Sequence, residues 1–376
     1  ASFTVDKEVF LEGDPLNVTD LEVGPDGALY FITGGRGTGG GIYRVSWRGK
    51  VPRSMTNLGD GFAAAIRQPQ MQSAWGRQKI AALKNKIGKD WDRMMIGVAR
   101  SSQNPSYYRT RALDIMQLFG PTPSSEMLVE LSQDKSQEVR AKAARLMAIH
   151  PSDETKAALI KMLADPERSI RAVASQSLLR AGHTASFNDL KVMLASDDRF
   201  EAWSARRLLE RLSPEDVKNS VMQAKKHRTM IQAGLALMVA HPSQTHAKVL
   251  MDRIRQQSKG FVSDRDFIDM LRLLQVTLHR AEVPMEDVAP LSKELAQEFP
   301  SSSAVMNREL IRLLAFTQAS DKKTMARYLK YLANESLPIK DRLHVGLYLR
   351  FIKNGWSPQQ KMDLLSFYEQ AINGKG

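Results

Sequence analysis

Tyr108-Arg109-Thr110-Arg111-Ala112, Val139-Arg140-Ala141-Lys142-Ala143 and Ile170-Arg171-Ala172-Val173-Ala174 fall in one register, 31 residues apart. Met116, Met147 and Leu178 keep that register, and Ala205 with Leu209 continue it more loosely. Asp134 and Asp165 each stand six residues before an arginine of the set. A unit of this length holds two short helices and their turns, and such a pair cannot bury its apolar face alone. Stacked neighbours supply the missing core. Val139–Ile149 and Ala157–Leu163 carry alanine and leucine on one stripe with charges opposite, which is the period of an amphipathic helix. Gly120-Pro121, His150-Pro151, Asp165-Pro166, Gly182, Ser213-Pro214 and His241-Pro242 break these runs and mark helix ends.

The D-x(4)-[VI]-R-x-x-A pattern resembles the HEAT family of paired-helix repeats. That resemblance implies a superhelix of helical hairpins in which the small alanine lets the two helices of a unit approach closely. It also implies a ladder in which Asp134, Arg140, Asp165 and Arg171 make one charge-assisted bond per layer. Helical texture reaches about Ile372, so roughly seven to nine hairpins fit the length. After residue 215 the consensus fades.

Before about residue 55 the texture is β-like. Leu21 and Val23 alternate with polar neighbours, Gly24-Pro25-Asp26-Gly27 reads as a turn, and Ala28–Ile32 and Ile42–Val45 read as strands separated by a glycine-rich loop, Gly34–Gly41. Three or four short antiparallel strands bury too little to stand alone, so the ribbon must pack on something. The run Leu16–Tyr30, closed by Gly41-Ile42-Tyr43-Arg44-Val45, resembles a β-propeller blade of the glucose/sorbosone dehydrogenase-like and NHL types. On that resemblance Leu21, Val23, Leu29 and Ile42 face neighbouring sheets.

Tyr30–Gly37, Arg67-Gln68-Pro69-Gln70 and Ser73-Ala74-Trp75-Gly76-Arg77 resemble, more narrowly, large secreted bacterial proteins common in planctomycetes. These join a dehydrogenase-like propeller, a HEAT segment and often a cytochrome c module. The resemblance implies that this chain is the last blade plus the HEAT segment of a longer periplasmic or secreted protein, with a cytoplasmic location left open. A propeller needs about four to eight blades to close, and one is present, so dehydrogenase activity is not expected of this chain alone.

Composition agrees with a folded globular body. The 376 residues are 43% apolar and 25% charged, too apolar for a disordered chain. The absence of cysteine excludes disulfides, thiolate-bound zinc, iron–sulfur clusters and covalent haem attachment. No run approaches the ~20 apolar residues of a membrane span. Net charge is +13, yet residues 1–50 hold five Lys+Arg against seven Asp+Glu. The rest is therefore strongly basic, which suits a polyanion or an acidic protein.

No catalytic constellation emerges. Gly35-x-Gly37-x-x-Gly40 matches the dinucleotide fingerprint in form, but a strand follows it where the pyrophosphate needs a helix N-terminus. Arg36 inside that loop retains only an anion nest as a reading. The seven histidines form no ligand spacing; His150 and His241 sit where imidazoles cap helix carbonyls. Asp197-Asp198 and Asp264 with Asp266 read as loop acids or N-caps.

Arg206, Arg207 and Arg211, the run Lys225-Lys226-His227-Arg228, and Lys322-Lys323 with Arg327 are the candidate polyanion contacts. Solvated helix faces are the plainer reading of each. Trp75, Trp91, Trp203 and Trp356 read as inter-helix packing. The expectation is thus a mainly α, HEAT-like solenoid with a small antiparallel β ribbon, divided 1–55, 56–104 and 105–376. It binds a protein partner or neighbouring domains and holds no cofactor; nucleic-acid binding is the alternative.

Overall fold

The computed structural model describes residues 5–14, 16–35, 37–53 and 57–373. Arg36 and the expected boundary after residue 55 lie outside them. The residues cluster into two compact units, 1–181 and 182–376.

The first unit opens with an antiparallel sheet in the order β1 (Val18–Val23), β2 (Leu29–Gly35), β3 (Thr38–Val45). Between β1 and β2, Gly27 takes a φ of +77° that favours glycine. Asp26 ties this turn to the far strand: it accepts from Arg44 Nη2 at 2.8 Å and Tyr30 Oη at 3.0 Å. The Arg44 bond, then the Ala28 amide, hold the Asp26 carboxyl down to about 2. The glycine run expected as a loop is largely strand, since Gly41 pairs with Thr33 and Thr38 with Gly35. A hairpin satisfies the backbone groups of a run that has no side chains to do so. Phe31 is buried and stacks on Tyr43 at 5.0 Å, while Leu21 and Ile42 are 62% and 80% exposed. Trp75 docks the sheet, donating from Nε1 to Val23 O at 3.2 Å.

Helices follow: α1 (Gly61–Arg67), α2 (Ala74–Ile87), α3 (Trp91–Arg100), α4 (Ser106–Phe119), α5 (Ser125–Leu131), α6 (Gln137–Met147), α7 (Asp153–Met162) and α8 (Arg168–Arg180). From α3 onward they pair in sequence, with α4, α6 and α8 packed side by side and α5 and α7 beside each other in a second layer. Ala112, Ala143 and Ala174 are fully buried, as are Met147 and Leu178 in the same register. The repeat is therefore a packing repeat: the small residue sits where helices meet. Ser124, Ser136 and Ser152 each accept an amide at a helix start, a cap typically worth about 1 kcal/mol.

The second unit comprises α9 (Phe187–Leu194), α10 (Arg199–Leu209), α11 (Pro214–Gln223), α12 (His227–Ala240), α13 (Gln244–Gln257), α14 (Asp264–Ala281), α15 (Met285–Leu295), α16 (Ala304–Phe316), α17 (Lys322–Leu332), α18 (Ile339–Leu349) and α19 (Pro358–Ile372). Here α10, α12, α14, α16 and α18 form one layer, with α9, α11, α13 and α15 in succession on the other and α17 beside α19. Pairing thus continues where the sequence consensus fades. In α12 a Cβ at Gly234 would lie 2.7 Å from Leu250 Cδ1 and 2.9 Å from Leu273 Cδ2, so close approach is again secured by a minimal side chain, though at a different position. The chain is a mainly α solenoid of paired helices led by a small sheet. Among the described residues no helix is long and apolar enough to cross a membrane.

Candidate functional site

The repeat arginines make a ladder offset by one unit. Arg109 Nη2 donates to Asp134 Oδ2 at 2.6 Å. Arg140 grips Asp165 with Nε and Nη2 at 2.8 and 3.0 Å, the two-pronged geometry that suits a guanidinium. Towards its own loop Arg140 uses Nη1, bonding Asp134 O and Lys135 O at 2.9 and 3.2 Å. Arg171 Nη1 bonds Asp165 O and Pro166 O at 2.7 and 3.0 Å. Arg140 and Arg171 thus each meet the preceding aspartate through its carbonyl. Arg109 and Arg140 each hold the carboxylate 25 residues ahead. Arg109, absent from the expected ladder, is its first rung.

Burial of Asp134 opposes its ionisation, but the bonds from Arg109 and the Ser136 amide outweigh burial and hold the carboxyl below its ordinary 3.8. A carboxylate held low stabilises the fold above its unfolded pKa, and that contribution is lost as pH falls through the folded value. Urea-unfolding stability is therefore expected to decline below about pH 4. Asp134→Asn should flatten part of that decline; an identical acid limb in the variant would refute the assignment.

The basic clusters divide. Arg206 lies 3.2 Å from Glu210 Oε1, and Arg207 pairs with the other oxygen of the same carboxylate. Burial is the largest influence on Arg206 and lowers its pKa. Arg228 Nε sits 3.2 Å from Asp197 and 3.4 Å from Asp266, and Arg265 shares Asp197 at 3.3 Å. Arg327 donates to Phe299 O at 3.1 Å. Arg211, Lys225, Lys226, Lys322 and Lys323 face solvent.

Asp198, His150 and His241 have local structural partners. Asp198 caps α10 through the Phe200 and Glu201 amides. His150 Nε2 lies 2.7 Å from Gln117 Oε1. His241 meets Leu212 O at 3.1 Å, a carbonyl just beyond α10 rather than one of its own helix. Among the described residues no group of three or more His, Asp or Glu is placed to hold a metal ion.

Two surface features stand out in the second unit. On α10, Phe200, Trp203 and Arg207 share a stripe at spacings of three and four. Phe200 and Trp203 are 42% and 44% exposed, and the Arg199 guanidinium lies 4.7 Å from the Phe200 ring centre. Trp203, expected in inter-helix packing, is therefore on the surface. Trp91 is buried, and Trp356 donates to Ile352 O at 2.8 Å.

The second feature is a groove of about 840 Å³ lined by Phe187, Lys191 and Val192 of α9, Met222 of α11, the Ala224–Lys226 turn and Arg253 of α13. Val192 and Met222 are 64% and 50% exposed. Four cations line it (Lys191, Lys225, Lys226 and Arg253) and no carboxylate does. Arg253 Nη2 and Gln257 Nε2 both donate to Ala224 O, at 2.7 and 3.0 Å, and fix the turn. Serines cap α9, α11 and α13, whereas α12 begins at Lys226 with no side-chain cap. Of the lining residues, the sequence pattern singles out only Lys225 and Lys226. The available signal was apolar Val192 and Met222 standing off the buried stripes Leu190-Met193-Leu194 and Val217-Val221, at positions that helical periodicity assigns to water.

HEAT repeats match residues 124–210 as a family pattern. No curated protein matches the sequence. Among solved structures, a Kap121p mutant superposes with a TM-score of 0.54 at 10% identity, over 81% of this chain and 38% of that one. Kap121p bound to Nup53p gives 0.47 at 10% identity, over 85% and 43%. Human deoxyhypusine hydroxylase in complex with glycerol gives 0.27 at 14% identity, over 74% and 99%. Only the first superposes closely enough to speak to the fold, and this chain spans less than two fifths of its length.

Proposed function

We propose that this chain is a non-catalytic scaffold that holds a protein partner or a neighbouring domain against its stacked helices. The exposed Phe200 and Trp203 side chains carry the reading. Aromatic side chains and arginine are enriched at protein–protein interfaces and supply much of their binding energy. Phosphate-backbone binding draws instead on many available cations, and Arg206, Arg207 and Arg228 already hold carboxylates.

On this reading the N-terminal sheet is a blade of a dehydrogenase-like propeller in a longer periplasmic or secreted protein. The solenoid spaces that domain from a downstream redox module and binds no cofactor itself. The exposure of Leu21 and Ile42, which the register puts on opposite faces of the sheet, supports this, since a blade within a propeller has a neighbour against each face.

Photo-crosslinking tests both parts. Benzoylphenylalanine replacing Trp203, and separately Ile42, is introduced into the full-length gene product in the cells that make it. Position 203 is expected to yield protein adducts, and position 42 adducts to residues upstream in the same polypeptide. Nuclease-sensitive adducts at 203 would favour the polyanion alternative, and no adduct at either position would overturn the proposal.

A further inference from the structure

We infer that the groove between α9 and α11 docks an acidic, amphipathic helical segment of a protein partner, at a site distinct from the α10 stripe. It lies on the other helical layer of the second unit, so it extends the scaffold reading without depending on the stripe.

The floor is apolar and open. Val192 and Met222 stand 64% and 50% exposed beside Phe187, an arrangement that leaves hydrophobic surface in water unless something covers it. Its walls are helices from one layer, and a valley between two packed helices accepts a ridge of side chains from a third. The eight residues of α9 span about 12 Å, so the occupant engages through two to three turns, with anchors at helical spacings.

Charge selects the occupant. Lys191, Lys225, Lys226 and Arg253 surround the floor from two helices and a turn, with no carboxylate among the lining residues. The α12 N-terminus, uncapped by any side chain, adds its positive dipole end on the same side. An occupant must therefore present apolar residues on one face and Asp or Glu on its flanks. A nucleic acid satisfies the cations but leaves Val192 and Met222 uncovered, so the protein segment fits both halves of the site.

The test uses the intact chain and a fluorescein-labelled helical peptide of about 12 residues, with leucines at i, i+3, i+4 and i+7 and glutamates elsewhere. Fluorescence anisotropy is expected to show saturable binding. That binding should weaken about tenfold or more for a scrambled peptide of the same composition, for Val192→Asp and for the Lys225→Glu/Lys226→Glu pair. All three substitutions lie on exposed positions, and circular dichroism checks that each variant keeps its helices. No binding, or binding that both variants leave unchanged, overturns the inference. So does a DNA duplex or a phosphatidylglycerol vesicle that displaces the peptide and is itself lost in Lys225→Glu/Lys226→Glu but retained in Val192→Asp. Crosslinks from positions 203 and 42 do not involve this groove. Peptide failure with those crosslinks intact therefore sinks this inference alone, and the reverse sinks only the α10 stripe and the sheet as contact surfaces.

Discussion

Replacing Arg140 with alanine is expected to lower unfolding stability by about 3–5 kcal/mol, the usual penalty for stranding one member of a buried ion pair. The Arg140 and Asp165 side chains are only 12% and 8% exposed. The alanine variant leaves the Asp165 carboxylate without its two-pronged partner and removes the donor to Asp134 O and Lys135 O. Arg140→Lys keeps the charge but loses the fork, so it should recover only part of the loss. Arg140→Met combined with Asp165→Leu should recover most of it, because an apolar pair carries no desolvation cost. Units in a stack are coupled chiefly to their neighbours. Native-state hydrogen exchange in Arg140→Ala should therefore accelerate in α6 and α8 while α16 is unchanged. A loss below about 1 kcal/mol, the range of exposed pairs, would show that the ladder is ornamental.

Trp91→Ala is expected to cost about 3–5 kcal/mol, the range for emptying a buried aromatic site. Trp91 is 1% exposed, meets Phe62 edge-on at 5.9 Å, and donates from Nε1 to Gly120 O at 2.9 Å. It thereby joins α1, the start of α3 and the end of α4. Trp91→Phe keeps most of the volume and loses the hydrogen bond, so about 1–3 kcal/mol is expected from the unsatisfied carbonyl. Urea titration followed by far-ultraviolet circular dichroism measures both. If the two variants were equally stable, filling of this site would not be what holds the first helices together.

The alanines of the repeat were legible because their function is local: every third or fourth residue faces a neighbouring helix, and period alone reveals the stripe. Gly234 was not legible, since its need for a missing Cβ arises from Leu250 and Leu273 on two other helices. The turn Gly24–Gly27 was readable from its residue types, but Asp26 as the tie to Arg44 was not, the two being 18 residues apart. The glycine run misled because glycine is permissive in loops and strands alike, and only the partner strand determines which it joins.

From the amino-acid order alone came the class of fold: a recurring apolar stripe with a small residue at fixed spacing obliges helices to pair and stack, whatever their partners. Tertiary structure alone decided which charges meet. Arg140 reaches past its own aspartate side chain to Asp165 in the next unit, Arg206 and Arg207 share the single carboxylate of Glu210, and Lys191 and Arg253 join Lys225 and Lys226 around one groove. The physical reason is that packing period is a property of a helix read along itself. Electrostatic and surface chemistry depend on distances between side chains that stacking brings together from far apart in the chain.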